Sequence, residues 1–344
     1  MARLFKTIDE IKEFCPMIGS SDFINFAPFI DQAERDFIKP YIGKELYDDI
    51  VAAYNTEEGS GSGTSISAEQ TLLLLKIQSA LAFYMEYLWI PSGQVSIGDS
   101  GIRVSVTETN KPAFAWQIKD LRRECLRMAG SAMDDLLLFL EENKIDYPLW
   151  TESEAYLNYK STFIASAKEF TKYFAALGNS RMNFLAIYPT IQRIEEFIIQ
   201  SELGKTFYDE LKAEFQLAEQ GSGISISEAN IPVIIFIKKT VAQLTMAQAI
   251  RELSAQIDER GIIQINNSAN SQVVDAVQNA IDTTISKLET GCERDGRAYL
   301  LLLKNFLKDN IDNYPTYKAS TSYDSNTTNQ AFKSGADDKN FAMI

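Results

Sequence analysis

The heptapeptide Gly61-Ser62-Gly63-Thr64-Ser65-Ile66-Ser67 returns 160 residues later as Gly221-Ser222-Gly223-Ile224-Ser225-Ile226-Ser227, identical at six of its seven positions. Upstream, residues 42–50 (IGKELYDDI) match residues 203–211 (LGKTFYDEL) at a shift of 161. Downstream, Gly101-Ile102 returns as Gly261-Ile262 and Tyr147-Pro148 as Tyr314-Pro315, at shifts of 160 and 167. Collinear matches at a nearly constant offset mark a tandem duplication, and a period this long is a domain rather than a solenoid repeat. Whatever fold the chain adopts, it must adopt twice. Residues kept in both copies therefore report on folding, and residues peculiar to one copy are the place to look for function.

Copy one reads as a domain over 1–150 and copy two as a domain over 163–317, with a packed joint at 151–162 and a polar, disordered tail at 318–344. Each half is long enough to bury its own core. The joint carries Tyr156, Leu157 and Tyr159 rather than a Gly/Ser run, so it is expected to pack. Ile30, Ala33, Phe37, Ile38 and Tyr41 follow helical spacing, and Ile191, Ile194, Phe197 and Ile198 do the same in copy two. Gly43 and Gly204 come next, where a helix needs a left-handed C-cap. Ser67-Ala68-Glu69-Gln70 is a capping-box pattern that opens a further helix, and Ser227-Glu228-Ala229-Asn230 is a looser version. The period then changes to two. Val95 and Ile97, then Ile102, Val104 and Val106, alternate with polar residues around Gly98-Asp99-Ser100-Gly101, which predicts a β-hairpin; copy two keeps one clear strand from Gly261. A long helix follows in each copy and is halted at Tyr147-Pro148 and Tyr314-Pro315. The expected class is mainly α: two tandem homologous helical-bundle domains, each with a small β-hairpin or strand insertion before a long C-terminal helix.

Charge restricts the partners. With 33 Lys and Arg against 47 Asp and Glu, the net charge is −14. That disfavours nucleic-acid binding by phosphate neutralisation and docking on anionic lipid, while leaving room for an acidic wall beside DNA or a merely solvated surface. Histidine is absent, which removes the commonest general base and metal ligand. Cys15, Cys125 and Cys292 are far apart and form no CxxC pair, which fits a reducing compartment, and Cys125 and Cys292 read as small core residues. Residues 1–14 lack the apolar run of a signal peptide. The apolar stretches 71–90 and 231–250 carry Lys76, Glu86, Lys238 and Lys239, and read as core helices rather than membrane spans.

The motifs that carry chemistry are missing from the sequence. It contains no Walker loop, dinucleotide fingerprint, HExxH or GxSxG. Asp48-Asp49 and Asp209-Glu210 suggest twin carboxylate sites but read better as an exposed acidic helix face. Residues 293–297 (ERDGR) read as a charged loop without calcium-ligand spacing. No catalytic, cofactor-binding or metal-ligating residue is assigned. The interface candidates are Val95, Ile97, Ile102, Val104 and Val106 in the hairpin, the aromatic residues Tyr147, Trp150, Tyr314 and Tyr317 at the domain ends, and Phe341 in the tail, although packing of helix ends and joint is the stronger reading of the aromatics and a frayed terminus that of Phe341. Gly43, Gly204, Gly101, Gly261, Pro148 and Pro315 are the candidates for repeated structural turns.

The run Ala33-Glu34, Phe37-Ile38, Tyr41-Ile42-Gly43, Leu46-Tyr47 resembles the first helices of head–tail connector (adaptor) proteins of tailed phages and prophages. The likeness covers most of each copy in element order; doubling and acidity set this chain apart. The resemblance implies a non-enzymatic ring component that joins portal to tail proteins, resident in the virion after assembly in the bacterial cytoplasm. Its partners would be further copies of itself and portal or tail proteins, with no sequence-specific nucleic-acid binding, no membrane and no cofactor. The competing classes are a cellular two-domain helical scaffold or adaptor, and a carboxylate enzyme, which would need a concave site with convergent polar groups.

Overall fold

The computed structural model describes residues 3–15, 18, 22–56, 66–93, 95–98, 101–103, 113–159, 161–219, 225–253, 255–258, 261–264 and 274–323. It is mainly helical, and its contacts divide it into two compact units, Met1–Tyr188 and Pro189–Ile344.

In the first unit, α1 (Ile8–Phe14) opens on a capping box between Thr7 and Glu10. Helix α2 (Ala27–Ala33) runs through a wide π turn, Glu34–Ile38, into α3 (Lys39–Ile42). Residue spacing explains the wide turn. Ile30, Glu34, Ile38 and Ile42 are all buried at strict intervals of four. In an α-helix that interval drifts by about 40° per step, and a π turn absorbs the drift and keeps the four on one line. Copy two repeats the device over its π turn Glu195–Ile199, with Ile191, Glu195, Ile199 and Leu203 buried. Phe197, expected on this face, is 74% exposed. The wide turn puts Ile199 inside in its place.

Helix α4 (Lys44–Thr56) follows Gly43. Helix α5 (Ala68–Gly93) starts at the Ser67 box, where Gln70 N–H donates to Ser67 Oγ and Ser67 N–H donates to Gln70 Oε1, both at 3.1 Å. A short antiparallel pairing of β1 (Ser96–Gly98) with β2 (Gly101–Arg103) sets Ile97 opposite Ile102. Helix α6 (Ala115–Glu142) then runs back along α5. The Lys76–Asp135 ion pair and the Arg122 guanidinium over the Tyr87 ring fix this antiparallel register. Phe37 stacks on Tyr84 at 4.3 Å, tying the π turn to the middle of α5. The short helices α7 (Pro148–Thr151) and α8 (Glu154–Tyr159) close the copy.

The unit continues past the joint expected at 151–162. Helix α9 (Ala167–Tyr173) and the first half of α10 (Arg181–Ile194) belong to copy two by sequence, yet they dock on copy one. Arg181 pairs with Glu141 at 2.7 Å, and Met182 N–H donates to Asp134 at 2.9 Å. The division therefore falls between Tyr188 and Pro189, inside α10.

The second unit continues with α11 (Gln200–Leu203), α12 (Lys205–Glu219) and α13 (Asn230–Leu253), then β3 (Ala255–Asp258) paired with β4 (Gly261–Gln264). Helix α14 (Val274–Asp309) and the short α15 (Pro315–Lys318) complete it. Residues 293–297, expected as a charged loop, lie inside α14. Gly296 is there because a Cβ would sit 2.6 Å from Leu244 on α13, so the glycine permits close helix packing. Helix α13 is apolar enough to cross a bilayer by composition, with mean hydropathy 1.3 over Asn230–Glu252, and 61% of that window is buried within the structure.

Candidate functional site

The residues kept in both copies form one closing device. Gly43 and Gly204 have φ of +84° and +79° with extended ψ of 151° and 140°, a conformation open to glycine but not the left-handed C-cap expected. Each lies against a serine from the end of its own copy, Ser153 or Ser320, whose Cβ would be 2.7 Å from an added methyl group. Those serines bond back to the carbonyls of Trp150 and Tyr317 at 2.6 and 2.7 Å. Tyr147 donates its hydroxyl to the carbonyl of Glu69 at 2.8 Å, and Tyr314 donates to the carbonyl of Ala229. Tyr147, Trp150, Tyr314 and Tyr317 are therefore buried, at 4% exposure or less, and the expectation that they form a contact surface is corrected. Aromatic rings at the end of a copy are needed to fill the floor beneath α4 and α12. Pro148 and Pro315 open α7 and α15 rather than merely ending the helix before them, since proline suits a first helical turn. Gly101 and Gly261 begin β2 and β4. Val95 is exposed, Ile97 and Ile102 face each other in register, and Val104, Val106 and Phe341 lie outside the described residues.

Two buried carboxyls sit at the π turns. Glu34 accepts from Leu4 N–H at 2.9 Å and from the Tyr47 hydroxyl, and burial raises its pKa. Glu195 accepts from Tyr208 at 3.3 Å and pairs with Lys212 at 2.5 Å. Sequence reading missed both, because a lone acid in an amphipathic helix looks solvated. Asp48 and Asp209, by contrast, are surface acids paired with Lys44 and Lys205 one turn away, at 3.1 and 2.7 Å. Among the described residues no cluster of three Cys, Asp or Glu is placed to hold a metal ion.

Exposed apolar residues also lie outside the expected set. In α6 the first ten residues, 115–124, are exposed except for half-buried Ile118, and core contact begins at Cys125. Phe114 and Trp116 are 68% and 63% exposed. Leu121 and Leu126 also face outward. Helix α14 repeats this, with residues 283–288 all exposed, Ile285 and Leu288 among them, before Cys292 enters the core. The first part of each long helix thus shows apolar side chains to the outside, and in α6 it does so while running beside the end of α5, where Arg122 lies over Tyr87. The apolar spacing of Ile118, Leu121 and Cys125 was the available signal, but it suggests a core face equally well.

At the other end of α5 is a cavity of about 510 Å³. Its apolar part comes from Leu46, Ile50, Pro148 and Leu149, and Asp49, Glu69 and Asp146 line it with carboxylates. Gln70 donates to Asp49 at 2.9 Å.

A model of a family of unknown function, DUF6712, matches residues 38–160 and again 199–327. No curated protein and no solved structure matches the chain.

Proposed function

The chain belongs to the DUF6712 family in both of its repeats, and we propose that it is a non-enzymatic assembly protein, a ring-forming subunit of a phage or prophage neck that joins portal to tail components. The observation that carries this reading is the pair of exposed apolar faces at the start of α6 and within the first part of α14, called arms here. Exposed apolar side chains rimmed by charge mark interaction surfaces. Phe114, Trp116 and Leu121 on one arm, with Ile285 and Leu288 on the other, present such surfaces in both repeats. The resemblance of residues 33–47 to connector helices supports the same assignment. In this reading β1–β2, adjoining the first arm, adds contact surface, and the net charge of −14 keeps DNA from adhering to the ring.

Peptide mass spectrometry of density-purified particles from an induced source culture tests the assignment. The expected result is a few copies per capsid equivalent, cross-linked to a portal-like protein. Complete particles lacking the chain would overturn the neck assignment and move the cellular scaffold to first place.

A further inference from the structure

We propose, on the ring reading above, that the α6 arm of one copy docks in the acidic cavity beneath α4 of a second copy of the same chain. The two surfaces are complementary in kind. Residues 116–127 carry Lys119, Arg122, Arg123 and Arg127 against Asp120 and Glu124, a local charge of +2 on a chain whose net charge is −14. The cavity offers Asp49, Glu69 and Asp146 around an apolar lining. An arm bearing Trp116 and Leu121 beside arginines matches such a site in both chemistry and sign.

The fold keeps the arm from its own cavity. Arg122 lies beside Tyr87 on α5, whereas the cavity is bounded by Glu69 near the start of that helix. Eighteen residues of helix at about 1.5 Å each separate them by about 27 Å. The occupant must be another molecule, and a contact between two different patches is heterologous: repeated, it generates a ring if the rotation closes.

The duplication supplies an internal control. At the positions of Trp116, Arg122 and Leu126, copy two has Thr283, Glu289 and Glu293, and residues 283–294 have no net charge, with Lys287 and Arg294 against Glu289 and Glu293. At the positions of Asp49, Glu69 and Asp146 it has Glu210, Ala229 and Asn313. Its neighbouring acids are displaced by one residue, to Glu228 and Asp312, and Asp312 is held by Lys318 at 3.2 Å. The basic, aromatic arm is thus peculiar to copy one, whereas copy two keeps acids at the corresponding place, two of them engaged within the copy by Thr316 and Lys318. The same comparison shows that the fold tolerates the alternative residues.

The test uses the full chain with p-benzoylphenylalanine in place of exposed Asp120, mixed at high concentration with isotope-labelled unsubstituted chain and irradiated. Cross-links from the substituted to the labelled chain should fall on residues 46–50, 67–70 or 146–149. Arg122→Glu with Arg123→Glu on the cross-linking chain should reduce them about tenfold or more, and Asp49→Lys with Asp146→Lys on the labelled chain should restore them, with circular dichroism confirming that every variant is folded. Cross-links elsewhere on the labelled chain, cross-links confined to one chain, insensitivity to charge reversal, or no cross-link at all would each overturn this docking; a small organic cation occupying the cavity instead would give the last of these. The neck assignment stands or falls separately, on the particle composition.

Discussion

Lys212 reaches Glu195 at 2.5 Å with side chains 12% and 2% exposed, and Val51 stands at the equivalent position of the first repeat. One copy neutralises its buried π-turn carboxyl with an ammonium; the other satisfies Glu34 with the Leu4 amide and the Tyr47 hydroxyl. Removing one member of a buried pair strands the other. Lys212→Met should destabilise the protein by about 3–5 kcal/mol. Adding Glu195→Leu should recover most of that loss. Urea titrations of the single and double variants measure both.

Gly43→Ala and Gly204→Ala combine a positive φ with a methyl group 2.7 Å from a serine Cβ. Each should cost about 2–4 kcal/mol, from backbone strain and overpacking together. Gly130, inside α6, has open space where its Cβ would be. Gly130→Ala should therefore stabilise by about 0.5–1 kcal/mol. Opposite signs at two classes of glycine, read from denaturation midpoints, check the close-approach argument.

Glu86 is 4% exposed on α5, its Oε2 lacks a hydrogen-bond partner, and burial pushes its pKa up to about 7. Cys125 faces it from α6, with a thiol pKa pushed up to about 11, first by burial and then by the Glu86 charge. Between the unfolded carboxyl pKa and 7, the folded state holds the extra proton. Stability is therefore greatest below that window and falls as pH rises through it, by up to about 3 kcal/mol at 1.36 kcal/mol per unit. Glu86→Gln should flatten the profile between pH 4.5 and 7 in thermal melts. An unchanged slope would mean that another group titrates there.

Tyr147→Phe and Tyr314→Phe keep the rings but remove the hydroxyls that reach the Glu69 and Ala229 carbonyls. Each should cost about 1 kcal/mol, with Trp150→Ala larger at about 3–5 kcal/mol. Hydrogen exchange should show the first turn of α5 opening in Tyr147→Phe while α6 stays protected.

The duplication and the points that close each copy were readable in the sequence, because glycine, proline and tyrosine act there through local geometry and through size. Ser67 with Gln70 was readable for the same reason. The π turns were not. One line of buried residues at intervals of four looks like an ordinary apolar helix face, and only the observed backbone shows why Ile199 rather than Phe197 points inward. The arms were also hidden: Ile118 and Leu121 keep core-like spacing, and whether a helix face is covered depends on which other elements reach it. Tyr147 and Trp150 admitted both packing of the helix ends and a contact surface, because aromatic residues serve interiors and interfaces alike, and the backbone decides for packing.

The contact between Gly43 and Ser153 also sets a timetable for synthesis. The two are separated by 110 residues of chain, as Gly204 and Ser320 are by 116. At about 5–20 residues per second, a growing polypeptide leaves Gly43 waiting roughly 5–20 s for its partner to be made. For the last 60 residues of that interval, after Gly93, α2 to α5 have been made but lack the aromatic floor that Tyr147 and Trp150 bring. Each repeat therefore passes once through a long-lived open state on the ribosome, with the floor beneath α4 or α12 exposed until its final turn arrives.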